Sequence, residues 1–259
     1  MAMSQPSLQV RLAATTVIFR DNGGGSPELL LMERSGTMAF AAGALVFPGG
    51  AIEAQDLEHA TDLTTDLPID EAAARIAAIR ETLEESGLTI GFKDQPDRFT
   101  VASLRAALNE GAVFAGLLSD AGLKLDLGAL VPFARWKPPT SEKVSRVFDT
   151  RFYLAKVAAG IHEPSADATE NVRLFWASAQ DVLDRSARGE AKVIFPTLRN
   201  LERLAQFRSF DEAVADAGKF AITTISPWIE EREGRPFLCI PENLGYPVTF
   251  ESLETSMRS

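Results

Sequence analysis

The chain has 259 residues, 46% of them hydrophobic and 24% charged, an ordinary globular composition with enough apolar side chains to bury a sizeable core. Lys and Arg number 26 against 36 Asp and Glu, for a formal charge of −10. That balance argues against a polymeric nucleic-acid partner, which calls for a basic surface, and leaves open a small anionic ligand received by a metal ion or a local arginine cluster.

Met1 to Ser7 lacks the basic-then-apolar layout of a secretory signal, and no run of about 18 apolar residues predicts a membrane span, so the expected location is cytoplasmic. Leu12–Arg20 is rich in β-branched residues and predicts a strand. The Gly-rich turn Asn22–Pro27 and a second strand over Glu28–Glu33 complete a hairpin. Ala44–Phe47 predicts a short strand that stops at Pro48-Gly49-Gly50. Asp70–Ser86 is the clearest helix, with Asp70 as its N-cap, Ile76, Ile79 and Leu83 on one apolar stripe, and Gly87 as its stop.

Further helices are expected over residues 100–120, with Gly111 a weak point, and over 179–188 and 196–207. Strands are expected over 148–157 and 172–176. The Pro-rich tail after Ile222 reads as irregular. Strands and helices interleave, which predicts a mixed α/β fold. No linker or internal repeat is evident, so residues 1–259 read as one domain. The single cysteine, Cys239, excludes an intrachain disulfide and reads as a core residue. His59 and His162 read as surface residues without metal-ligand spacing.

The chemistry concentrates in Arg80-Glu81-Thr82-Leu83-Glu84-Glu85-Ser86-Gly87-Leu88. On a helix, Glu81, Glu84 and Glu85 fall within about 60° of one another, on a face apart from the apolar stripe. Like charges at that spacing repel by roughly a few tenths of a kcal/mol per pair. The C-terminal end of the helix dipole adds roughly 0.3–1 kcal/mol against each anion. Arg80 offsets only part of this. A divalent cation would relieve the strain, since carboxylate oxygens suit magnesium; the plain alternative is a solvated acidic face.

These residues resemble the box of the Nudix hydrolase family: Gly, five residues, Glu, seven residues, then Arg-Glu-aliphatic-x-Glu-Glu-x-Gly-aliphatic. Gly50 fits the first position, led in by Pro48 and Gly49. Arg80, Glu81, Glu84, Glu85, Gly87 and Leu88 fit the second half, with Thr82 at an aliphatic position. Two departures stand out. Asp56 occupies the place of the first glutamate, and Gly50 and Arg80 lie 30 positions apart where the unbroken pattern has 14, an insertion put at residues 57–69. Leu29–Ser35, Phe40, Gly43, Val46–Gly50, Pro132–Trp136 and Phe148–Phe152 extend the likeness to the coenzyme A diphosphatase-like branch of the family.

The resemblance implies a Nudix α/β/α sandwich with a mixed sheet, carrying helical additions near 100–120 and 196–220. It implies a Mg2+-dependent pyrophosphohydrolase, with Mn2+ as the alternative ion, acting on a small nucleoside diphosphate derivative. Coenzyme A or an acyl-coenzyme A is the favoured substrate. ADP-ribose, NADH, dinucleoside polyphosphates and damaged nucleotide triphosphates are the alternatives, and so is a nucleotide sensor without turnover. By the same resemblance Glu81, Glu84 and Glu85 hold the metal, with a contribution from the backbone of Gly50, and Arg80 orients a glutamate. Glu170, before the 172–176 strand, is the expected general base. Arg34, Arg135, Arg146 and Arg151 are the arginines expected at the substrate's anions, with Trp136 stacking on its base. Relatives in the family often pair, so a homodimer is compatible with the reading.

Overall fold

Alternation along the first strand divides the core in two. In the computed structural model, which describes residues 9–36, 42–139, 146–157, 163–166 and 171–253, β1 (Gln9–Arg20) turns Ala14 and Ile18 to one face and Val17 and Phe19 to the other. It is flanked by β2 (Glu28–Arg34), β3 (Ala44–Val46), β4 (Gly49–Ala51), β5 (Val131–Trp136), β6 (Arg146–Lys156), β7 (Asn171–Ser178), β8 (Lys192–Val193) and β9 (Thr224–Ile225). Together they form one mixed nine-stranded sheet with the path β8-β3-β2-β1-β6-β5-β9; β4 is added to β1 and β7 to β2. The β1–β6 pairing is parallel and runs from Gln9↔Arg146 to Phe19↔Lys156.

Helices α1 (Ala54–Asp62), α2 (Ile69–Ser86), α3 (Arg98–Asn109) and α4 (Phe114–Asp120) lie on the Ala14–Ile18 side. Helices α5 (Ala179–Ala187), α6 (Phe195–Leu204) and α7 (Phe210–Ala217) lie on the other. This is the expected α/β/α sandwich. No helix among the described residues is long and apolar enough to cross a membrane.

Several local expectations are corrected. The helix expected at 100–120 is two helices, α3 and α4, because Gly111 adopts a left-handed φ of 86° that ends the first. The addition near 196–220 is likewise two helices. Helix α2 starts one residue earlier than expected, with Pro68 rather than Asp70 as N-cap. Residues 223–253, expected as irregular, supply β9 and then an antiparallel sheet of β10 (Trp228–Arg232), β11 (Arg235–Cys239) and β12 (Phe250–Ser252).

The largest correction concerns α2 itself. Its Ala72–Arg80 stretch is buried all round, not along one stripe. Small alanine side chains let the helix sit close on β1, where Thr16 Oγ1 donates to Ala78 O (3.4 Å) and Thr82 Oγ1 to Thr16 Oγ1 (3.2 Å). Thr82, the odd member of the box pattern, is thus the polar partner of a buried β1 threonine. Helix α1 covers the outer side of α2, so the first part of the inserted segment is helical and packs through Ala60.

Candidate functional site

Arg80 is the centre of the site. It is 2% exposed, and each of its five N–H donors has an acceptor. Nε and Nη2 grip the Asp56 carboxylate at 3.0 Å each, and the second Nη2 hydrogen reaches Ala51 O at 3.1 Å. Nη1 donates to Glu81 Oε1 and Glu84 Oε1, both at 3.0 Å. Burial opposes the guanidinium charge, but the Asp56 hydrogen bonds and the surrounding carboxylates outweigh it and hold Arg80 above the ordinary arginine range. Asp56 is itself 1% exposed and also accepts from the Glu53 backbone N–H (2.9 Å) at the start of α1. The first turn of α1, just ahead of the insertion, therefore delivers the carboxylate that holds the arginine of the box.

The three glutamates are less solvated than a surface acidic face would be. Glu81 and Glu84 are half-buried and Glu85 is buried. Burial pushes Glu81 up to about 7, and the negative charge of Glu84 adds to that against the pull of Arg80. Burial likewise raises Glu84. Glu85 accepts the Gly49 backbone N–H at 2.8 Å. The two glycines of β4 are constrained differently. Gly49 has φ 154° and lies against the Ala14 and Thr15 backbone; a Cβ on Gly50 would overlap the Glu81 carboxylate. The Gly-Gly pair, expected as a turn, is a strand against β1 that brings backbone up to two glutamates.

Among the described residues no group of three His, Cys, Asp or Glu has its donor atoms already gathered for a metal ion. Glu81 and Glu84 are instead gathered on one nitrogen of Arg80, which takes one oxygen of each. The donor set nevertheless suits a hard cation. It offers carboxylate oxygens from two adjacent turns of one helix, desolvated and raised in pKa by burial, beside the backbone of a glycine strand.

The other expected site residues scatter. Arg135 pairs with Asp149 (2.7 and 2.9 Å), and Arg151 with Glu71 (3.0 Å) and the Asp70 carbonyl (2.8 Å). They face each other across β5 and β6, and Arg151 anchors the N-terminal end of α2. At about 1.5 Å rise per residue, that end lies roughly 16–22 Å along the axis from Glu81–Glu85. Both arginines are held by carboxylates, away from the box glutamates. Trp136 is 2% exposed, and its Nε1 donates to Asn200 Oδ1 (3.3 Å) and Tyr246 Oη (3.2 Å). It packs edge-on against Phe195 and Tyr246, so it is core and does not stack on a base.

Arg34 ends β2, on the same side of β1 as β4, and is the expected arginine whose strand leads toward the box. Arg146 opens β6 opposite Gln9; its side chain, like all of Phe40, His162 and Glu170, lies outside the described residues. His59 is half-buried with its ring edge-on to Phe114, and burial lowers its pKa, so it is a packing residue and not a surface one. Cys239 is buried, as expected.

Sequence reasoning undervalued Asp56, Ala51 and Gly49. Asp56 did carry a signal: it stands six positions after Gly50, where the box has its first acid. The two backbone contacts had none beyond the glycine pair.

Residues 57–204, more than half of the chain, match the NUDT19 Nudix domain. Acyl-coenzyme A diphosphatase NUDT19 of Gallus gallus is 26% identical over 255 residues, covering 78% of this chain and 67% of its own length. The protein of that name from Homo sapiens is 25% identical over 247 residues, covering 75% and 64%. The chain thus spans about two thirds of the length of these curated relatives. Among solved structures, a Nudix hydrolase from Alicyclobacillus acidocaldarius is 30% identical with a TM-score of 0.70, covering 81% of this chain and 97% of its own.

Proposed function

Because the chain belongs to the Nudix hydrolase family, we propose that it hydrolyses the pyrophosphate linkage of coenzyme A or an acyl-coenzyme A with the help of Mg2+. The observation that carries this reading is the gathering of Glu81 and Glu84 on the buried Arg80, with Glu85 beside them on the Gly49 N–H. The names of the Gallus gallus and Homo sapiens relatives support the choice of substrate.

Glu84 and Glu85 would hold the cation, with Glu81 as the third carboxylate and the Gly50 backbone alongside. A divalent ion held there would supply positive charge for the phosphates and lower the pKa of a water. Arg80 does not touch substrate; its fork fixes the rotamers of Glu81 and Glu84 from behind. Asp56 supplies the opposing charge that keeps Arg80 in place. Arg34 is the arginine proposed to meet the substrate's anionic end. Glu170 is proposed as the general base that takes the proton of the attacking water, and Glu170→Gln with activity within about threefold of wild type would remove it from the mechanism.

The test is product release with Mg2+ or Mn2+ over coenzyme A, acetyl-coenzyme A, ADP-ribose, NADH and diadenosine polyphosphates, with Glu84→Gln in parallel. Turnover of the coenzyme A compounds, lost in the variant, is the expected result. Turnover confined to another class refutes the substrate, and Mg2+ binding without any turnover refutes hydrolysis on this panel.

A further inference from the structure

The carbonyls at the end of α2 lead away from the box side chains to a residue on another helix. The last four carbonyls of a helix have no partner within it. Here each has a donor. Leu83 O accepts from Gly87 N (2.9 Å), at the left-handed cap. Glu84 O accepts from Arg105 Nε (2.7 Å) and Glu85 O from Arg105 Nη2 (3.0 Å). Ser86 O accepts from Ser165 N (3.0 Å). Arg105 also donates from Nη2 to Ser165 O (2.7 Å) and from Nη1 to Ser165 Oγ (2.8 Å).

We infer that Arg105, on α3, is a positioning residue for the metal-binding glutamates: it clamps the backbones of Glu84 and Glu85 and docks the connection between β6 and β7 on the end of the box helix through Ser165. The inference rests on the function proposed above. Three features argue for it. The guanidinium grips the two residues proposed to hold the cation, and it does so through their carbonyls, so it bears on the direction of both Cα–Cβ bonds. Its positive charge sits at the negative end of the helix dipole, where Glu81, Glu84 and Glu85 add three anions. And the fork spans three backbone oxygens on two segments far apart in sequence, which a point-charge ammonium cannot do. Arg105 thereby ties Ser165 to the two residues that carry the carboxylates.

The experiment compares wild type, Arg105→Lys and Arg105→Met in the full chain. It reads Mn2+ affinity by titration calorimetry, kcat and KM for coenzyme A at saturating metal, and thermal unfolding, with Glu84→Gln as the control that loses the ion. Residues that orient metal ligands typically alter affinity or activity by about 10–100-fold, so Arg105→Met is expected to lose about tenfold or more in Mn2+ affinity and in kcat while KM stays within about threefold. Arg105→Lys is expected to fall between, since it keeps the charge and loses the fork. A folded Arg105→Met with both affinity and kcat within about twofold of wild type overturns the inference. Should Arg105→Met not fold, the same twofold limit on Arg105→Lys decides. If wild type binds Mn2+ but turns over no coenzyme A, the proposed substrate fails and the affinity comparison alone decides the role of Arg105. If wild type binds no divalent ion, the proposed function fails and this inference falls with it.

Discussion

Replacing Asp56 by alanine removes both acceptors that hold Arg80 Nε and one Nη2 hydrogen, at 3.0 Å each, in a place where neither partner reaches solvent. Water cannot take over the lost bonds without opening α1 from α2. Breaking a buried ion pair by deleting one partner costs about 3–5 kcal/mol, because the remaining charge stays uncompensated. Glu81 and Glu84 still face Nη1 and bring the expected loss toward the lower end, near about 3 kcal/mol. The helix-cap contact to Glu53 N is made by the same carboxylate and is not an independent addition. The assay is urea unfolding in the presence of EDTA, so that ion binding does not enter, reading the midpoint at constant m-value. In a double-mutant cycle, Asp56→Ala with Arg80→Met should lose clearly less than the sum of the two single changes. A loss below about 1 kcal/mol for Asp56→Ala would mean the pair behaves like an exposed one, and the reading of α1 as the holder of the box arginine would be wrong.

Glu81 has a folded pKa of about 7, above its ordinary 4.5, so the folded state keeps this proton to higher pH than the unfolded chain does. Its contribution to the stability of the metal-free protein should therefore grow as pH falls from about 7 toward 4.5 and be flat below, and Glu81→Gln should remove that part of the slope. With Mn2+ present the sign for binding is opposite: protons compete with the ion, so calorimetric affinity should drop as pH falls through about 7. Gly49→Ala should cost more stability than Gly50→Ala, since its Cβ meets the Ala14 and Thr15 backbone while Gly50 meets only a movable glutamate; Gly50→Ala should lose more activity than stability, as urea midpoints beside kcat will tell. Trp136→Phe should lower stability by about 1 kcal/mol, through its two indole hydrogen bonds, with KM unchanged; a raised KM would restore Trp136 to the substrate site.

The hairpin, the box helix and the layered architecture were legible because each rests on a local pattern: β-branched alternation over Leu12–Arg20, glutamates at helical spacing, and Gly87 as a left-handed cap. What was not legible depends on partners distant in sequence. Five alanines between 72 and 78 carry little hydrophobic contrast, so a helix whose Ala72–Arg80 stretch is buried on all sides read as one with a single apolar stripe. Asp56 meets Arg80 because the chain between them folds back through α1 and the following loop. The pairing of Arg135 with Asp149, and of Arg151 with Asp70 and Glu71, joins residues far apart in the chain and had no local signal. The tail misled through its prolines. Pro236 lies within β11 but beyond the stretch that pairs with β12, so its missing N–H leaves that pairing intact.

The long parallel ladder between β1 and β6 joins residues 9–19 to residues 146–156. Everything that forms the box, from Gly49 to Gly87, lies between those two strands in the chain. On a ribosome, the first strand is made long before its main neighbour, and the box helix must wait against half a sheet. Pairings of such long sequence separation form slowly, after loop closure has been overcome. The consequence is an order of assembly: a nascent chain stopped short of Arg146 holds every residue of the box together with β1 and β4, on which α2 packs, but β1 still lacks its long parallel neighbour on the other edge.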